Sequence, residues 1–235
     1  MATPSDPSTA LERYTLGQRV YEWCGITVTS ATGAWLCARL LAGGPLAVWW
    51  LPVALVVGLL GADLVSGIVH WGFDTWGDLD TPIVGQLAIR AFRQHHVDPS
   101  VLLGHDFVET NGHNFMLALP LTTGGLCVLP GGDGARFLAL CFAAMAVCVA
   151  LTSQIHKWAH TPRPPRLVAL LQRARLILPP AHHEYHHRAP HRQRYCITVG
   201  WLDGLFTATG FFERVERVIT RATGIDRHRH DEPVP

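Results

Sequence analysis

Charge is scarce in this chain. Asp, Glu, Lys and Arg make up 16% of its 235 residues, against about 25% in a soluble globular protein, while 49% is hydrophobic and mean hydropathy is +0.19. Net charge is only +1, so composition gives no support to a nucleic-acid partner. The six cysteines form no C-x-x-C pair, which disfavours disulfides and zinc knuckles against buried small hydrophobes. There are no repeats or low-complexity tracts. Met1 to Arg19 lacks the basic-then-apolar pattern of a cleavable signal. With Pro4, Asp6, Pro7 and Glu12 in it, residues 1–22 are expected to form a flexible lead-in.

What the chain has instead is four apolar stretches, Cys24 to Leu41, Leu46 to Val69, Phe115 to Leu129 and Ala135 to Ile155. A helix needs about 20 apolar residues to cross a bilayer. The second and fourth stretches read as spans, and the first, interrupted by Arg39, and the short third are counted with them. The expectation is an all-α integral membrane protein of about four transmembrane helices, with its main domain over 23–215 and a polar tail over 216–235. None of the fourteen histidines lies inside an apolar stretch. Four crossings put all of them on one face, together with the 13 of 19 Lys and Arg found from Lys157 onward. The positive-inside tendency makes this histidine-rich helical cap cytosolic. Pro162, Pro164 and Pro165 should end the fourth helix. Leu167 to Leu178 reads as a helix lying in the interface, with Trp201, Phe206, Phe211 and Phe212 as further anchors.

The histidines are spaced for metal binding. His156 and His160 are four apart and share a helix face. His70 with Asp74, and His183 with His187, repeat that spacing, and His186 adds a further donor. His95 and His96 are adjacent, so their side chains diverge unless each serves a different ion. Eight histidines from four segments exceed one tetrahedral zinc and suit two transition-metal ions, iron among those that imidazole serves. Asp74 reads as a ligand or, preferably, as a carboxylate orienting one. Glu109 and Asn111 read as partners of ligand imidazoles or as caps of the next helix. Asp63, costly inside a span unless paired or near the interface, is placed at the edge of the same pocket. His105 and His113 stay open between ligand, outer partner and loop histidine, while His228 and His230, in a polar tail, are left out.

A centre so rich in histidine has no evident advantage in hydrolysis, and Glu184 beside His183 resembles a zinc-protease motif only superficially. A transporter would carry ligands along its spans, where only Asp63 lies. Oxygen activation fits better. An unactivated C–H bond in an alkyl chain offers acid–base side chains nothing to attack, so a metal and molecular oxygen must supply the oxidant while the protein supplies ligands and a narrow apolar slot.

Five motifs appear in order: His70-Trp71-Gly72-Phe73-Asp74-Thr75-Trp76-Gly77, Phe92-Arg93-Gln94-His95-His96-Val97-Asp98-Pro99, His105-Asp106-Phe107-Val108-Glu109-Thr110-Asn111-Gly112, Gln154-Ile155-His156-Lys157-Trp158-Ala159-His160 and Tyr195-Cys196-Ile197-Thr198-Val199-Gly200-Trp201. Together, from about Gly58 to Phe212, they resemble the Kua-type lipid desaturase family. Its best known activity turns the alkyl chain of plasmanylethanolamine into the vinyl ether of a plasmalogen. The resemblance implies an iron-dependent membrane oxidoreductase with a diiron centre and oxygen as co-substrate. It also implies a phospholipid substrate and an electron donor such as cytochrome b5 or ferredoxin with a reductase. It carries the ligand role to His70, His95, His96, His156, His160, His183, His186 and His187 and an essential aspartate role to Asp74, and it matches His182 and His191 without defining what they do. The chain departs from animal members at His113 and Ser153, neither a proposed ligand. A plant branch looks like acyl desaturases, which keeps a fatty-acyl desaturase, or a lipid hydroxylase with the same centre, as the alternative. Richness in Ala, Arg and Gly points to a bacterial member, hence the inner membrane, or the endoplasmic reticulum if the source is eukaryotic.

Overall fold

The computed structural model describes residues 14–225, apart from the side chains of Gln86 and Leu87, and contains no strand among them. His228 and His230 lie outside the described residues. Four long helices form the body: α1 (Leu16–Ala42), α2 (Trp50–Thr75), α5 (Phe107–Val128) and α6 (Asp133–Ala150), the last continuing past Leu151 into α7 (Thr152–His160). A cap at one end holds α3 (Arg90–Val97), entered through a π-helical turn at Gly85–Ile89, with α4 (Val101–Gly104), α8 (Arg166–Arg173), α9 (Pro180–His186), α10 (Asp203–Thr209) and α11 (Phe211–Thr223).

Three stretches, Trp50–Thr75, Phe107–Gly131 and Asp133–His160, are long and apolar enough to cross a membrane. The fourth expected span, α1, has the length at 27 residues but is more polar, and it buries Glu22 and Thr29. It starts inside the expected lead-in because Thr15 and Gln18 form a reciprocal capping box, which satisfies amide donors that a helix start leaves open. Likewise α5 begins eight residues ahead of its apolar stretch, because the Asp106 carboxylate accepts from the Val108 and Glu109 amides. The proline run does end α7, at His160.

The long helices run alternately up and down. At one end Arg19 at the start of α1 pairs with Asp106 at the start of α5, 2.6 Å apart. At the other end Arg136 donates to the Gly44 carbonyl at 2.8 Å. α5 packs between α1 and α6, while α2 packs on another side of α6 and scarcely touches α5. The contacts use small residues, as membrane helices do. Ala62, Ala118, Ala146, Cys148, Val149 and Ala150 form the central cluster, and a Cβ on Gly58 would meet the backbone of Ala144 at 2.8 Å. Between α1 and α5, hydroxyls act as glue: Thr29 donates to the Phe115 carbonyl at 2.7 Å, and Thr32 and Thr122 pair at 2.7 Å.

Two expectations about the cap need correction. The interfacial helix expected over 167–178 stops at Arg173. Arg175 takes a left-handed conformation at φ 56°, and Ile177 and Leu178 turn into the core, where the Leu178 amide donates to the Thr198 carbonyl at 2.8 Å. Leu167 and Leu170 do stay exposed. Phe206 and Phe212 are not surface anchors but pack with Trp71, Tyr195 and Cys196 in a buried cluster. α11 runs on to Thr223, through the first part of the expected polar tail.

Candidate metal centre

Four short segments deliver the donors to one end of the bundle. The last turns of α2 carry His70 and Asp74 on one face, the end of α3 carries His95 and His96, α7 carries His156 and His160, and α9 carries His183 and His186, with His187 just beyond it. They converge as two groups. His95, His156, His160, His183 and His187 form one, and His70, Asp74, His96 and His186 form the other. In each group one donor atom per residue lies within 4.8 Å of all the rest. All nine residues singled out from the sequence are brought together, and no other described residue joins them. Each adjacent pair, His95-His96 and His186-His187, is divided between the groups, so the divergence of neighbouring helical side chains is used rather than overcome. The groups abut: the rings of His70 and His156 are 6.2 Å apart, and those of His96 and His187 5.1 Å.

Spacing and burial fit a cation in each group. In the five-histidine group the His156 and His183 Nε2 atoms are 2.7 Å apart, those of His183 and His187 3.0 Å, and those of His156 and His160 3.3 Å. Nitrogens bound at roughly 2.1 Å to one ion stand about 3.0–3.4 Å apart. In the other group the Asp74 carboxylate reaches His96 at 3.2 Å, His70 at 3.4 Å and His186 at 3.5 Å. His70 Nε2, Asp74 Oδ2 and both ring nitrogens of His95 are buried without a hydrogen-bond partner. Such atoms cost about 1–3 kcal/mol each when left unsatisfied, and metal ions would satisfy His70 Nε2, Asp74 Oδ2 and one nitrogen of His95. Burial first, and the crowding of other imidazoles second, hold His95, His183 and His187 well below the ordinary histidine pKa. They are neutral near pH 7, the form that ligates.

The outer ring nitrogens explain the orientation of the second group. A carbonyl only accepts, so His70 Nδ1–H donates to Tyr195 O at 3.1 Å and His186 Nδ1–H to Gln193 O at 2.8 Å. Each leaves its Nε2 lone pair for the centre. His191 packs beside this group, its Nδ1 3.1 Å from His96 Nδ1. His182 belongs to neither group. Its Nε2 is 2.7 Å from Asp203, whose other oxygen accepts from the Cys196 amide at 3.2 Å. The two contacts tie α9, next to His183, to the loop behind His70. The part played by Asp203 escapes a reading of motifs, its one signal being an acid isolated among apolar residues.

The remaining candidates take other roles. Asp63 does not border the centre. Fully buried, it accepts from the amides of Val199, Gly200 and Leu202 at 2.8, 2.9 and 3.2 Å, clamping the loop that follows Tyr195. Glu109 lies 3.4 Å from His105, and Asn111 donates to the Phe107 carbonyl at 2.9 Å, so neither orients a ligand and Asp106 does the capping. His113 lies 3.4 Å from Glu22. The run His183-Glu184-Tyr185-His186-His187 does spell H-E-x-x-H, the zinc-protease pattern, so spacing alone does not dismiss it. The Glu184 side chain is 69% exposed and pairs with Arg188 at 3.3 Å, away from the donors, so the base of that motif is missing.

Comparison with known proteins agrees. The chain is 49% identical over 177 residues to the plasmanylethanolamine desaturase of Myxococcus xanthus, covering 75% of this chain and 63% of that protein. It is 39% identical over 229 residues to plasmanylethanolamine desaturase 1 of Mus musculus, covering 93% and 83%. Against the chloroplastic fatty acid desaturase 4 of Arabidopsis thaliana the identity is 33% over 178 residues, covering 75% and 54%. The chain thus spans just under two thirds of the bacterial relative's length. No solved structure matches it. A lipid desaturase domain is matched over residues 59–230, which contain every donor of both histidine groups, and the chain belongs to the lipid desaturase family.

Proposed function

We propose that this chain desaturates the 1-O-alkyl chain of plasmanylethanolamine between carbons 1 and 2, giving the vinyl ether of plasmenylethanolamine. The observation that carries the reading is the pair of abutting buried donor groups at one end of the apolar helices. The names of the bacterial and mouse relatives supply the substrate. One dioxygen, two electrons and two protons enter with the alkyl chain, and the double bond and two waters leave. Two iron ions held by the groups would supply the oxidising power that an unactivated C–H bond requires.

The chain's own residues hold donors and exclude water. The Tyr195 and Gln193 carbonyls fix the ring orientation of His70 and His186, so both present Nε2 inward. Asp74 adds the one negative charge, offsetting part of the charge of its ion. The neutral state of His95, His183 and His187 removes proton competition for their lone pairs. Phe92, whose ring lies 5.2 Å from that of His70, covers one side with hydrocarbon. The arginines on the histidine face, Arg163, Arg166, Arg173 and Arg175 among them, support a cytosolic position for that face through the positive-inside tendency. There it can meet cytochrome b5, or ferredoxin with its reductase, as electron donor.

The test is mass spectrometry of ether lipids from cells that lack plasmalogens, fed alkyl-ether phospholipid and expressing either the intact chain or His156→Ala. An acid-labile product two hydrogens lighter, made only by the intact chain, supports the reading. A product one oxygen heavier makes the chain a hydroxylase. Unsaturation confined to acyl chains would fit the 33% identity with the Arabidopsis fatty acid desaturase and overturn the ether assignment.

A further inference from the structure

α2 and α5 both pack on α6 but scarcely touch each other, and the space between them is a narrow cleft of about 40 Å³, open on one side to the outside. Its walls are Val65 and Val69 of α2, Leu117 of α5, Val149 of α6, Phe92 and Ile197. Two further lining residues locate its inner end. Ser66 is four residues before His70, and Thr152 four before His156, so each stands one helical turn below a ligand on the same helix face. His70 and His156 belong to different donor groups and face each other at 6.2 Å. The cleft therefore ends beneath the seam between the groups, with Phe92 as its roof. From Ala62 to Val69 it follows α2 for roughly 10 Å. Leu117, 43% exposed, forms its outer rim. The polar atoms inside are largely used: Asn114 donates to Ser153 at 3.0 Å, and Thr152 pairs with Thr198 at 2.9 Å.

We propose that this cleft is the binding slot for the hydrocarbon tail of the substrate. It rests on the desaturase reading above and adds where the chain lies. Its walls are largely apolar, its outer side faces the region where lipid chains are, and its inner end stops one helical turn below a member of each donor group. An alkyl chain seated there has its first carbons beneath the seam and its later methylenes between α2 and α5, leaving by Leu117. Val65 and Leu117, on opposite walls, limit its width.

The experiment uses the full, iron-loaded chain in lipid nanodiscs with a 1-O-alkyl phospholipid carrying a diazirine at mid-chain. Photolabelled peptides are mapped, and turnover and iron content are measured for Val65→Trp, Leu117→Trp and, as a control on the outward side of α2, Leu64→Trp. The expected result is labelling at Val65 and Leu117 and turnover lowered by about tenfold or more in the two cleft variants, because a misplaced chain loses its attack geometry. Iron content stays unchanged in them and Leu64→Trp matches the intact chain. Labelling on α1 or α11 instead, or cleft variants that turn over like the intact chain, would overturn the slot. If the intact chain makes no vinyl ether yet the label still marks Val65 and Leu117, the slot stands and only the ether-lipid reading falls.

Discussion

His95, His156, His160, His183 and His187 make a group of five neutral donors, whereas His70, His96 and His186 close around the carboxylate of Asp74. An ion among five imidazoles would keep its full charge, while one beside Asp74 would be partly neutralised, so the two positions should differ in affinity and in potential. They are also held differently. In the five-residue group, His156 with His160 in α7, and His183 in α9 with His187 at its C-cap, are aligned by helical register. In the Asp74 group, His70 and His186 lean on the Tyr195 and Gln193 carbonyls. That segment is fastened in turn by Asp63 and by the Ser66 hydroxyl, which accepts from the Ile197 amide at 3.2 Å. One half of the centre is organised by local helix geometry, the other by a loop whose carbonyls lie 125 residues from His70 and seven from His186.

The sharpest way to break this contrast is to remove a donor from the five-residue group. His156→Ala should abolish turnover and lower bound iron by about one ion per chain, as measured by metal analysis of the purified protein. Full activity in that variant would end the case for the group as a ligand set. Asp74→Asn keeps shape but removes the charge. It should weaken metal binding in the four-residue group by about 100-fold, with a matching loss of activity and a growing mononuclear spectroscopic signature from the five histidines. Retention of both ions would mean that the carboxylate does not distinguish the groups.

A smaller effect is expected from Asp203→Asn, which weakens the hold on His182. Iron affinity should fall by about tenfold, first at the five-residue group that contains His183. Asp63→Ala strips three buried amides of their acceptor and should destabilise the protein by about 3 kcal/mol, seen as a lower midpoint of thermal unfolding in detergent. Its iron should be lost first from the Asp74 group, because the clamped loop supports His70 and His186. An even loss from both groups would show the centre to be mechanically one unit. His105→Gln and His113→Gln mark the lower limit, with activity within about twofold of the intact chain.

The convergence of the candidate donors was legible because helical spacing is local. Residues four apart on one helix meet, so His156 with His160 and His183 with His187 announce themselves. Their division into groups was not legible. Neighbours such as His95 and His96 diverge by about 100° on a helix, and which ion each faces depends on how α3 crosses α2 and α7. Closeness to His70 in the sequence suggests that Asp63 edges the same pocket, but the structure turns it to another task. Its amide partners lie at 199–202, too far along the chain for any pattern to connect. Phe206 and Phe212 read as surface anchors for the same reason, since the ring that buries Phe212, Trp71 at 5.2 Å, comes from another helix.

By itself the sequence determined the long apolar helices, the end of the bundle where the imidazoles gather, and the motifs of a lipid desaturase. Each of these follows from local hydropathy, helical period or motif order. Only the tertiary structure decided the split into two donor groups, the loop carbonyls that aim His70 and His186, the Asp63 clamp and the cleft between α2 and α5. Each of those depends on the relative placement of segments distant in the chain, which packing sets and local pattern does not encode.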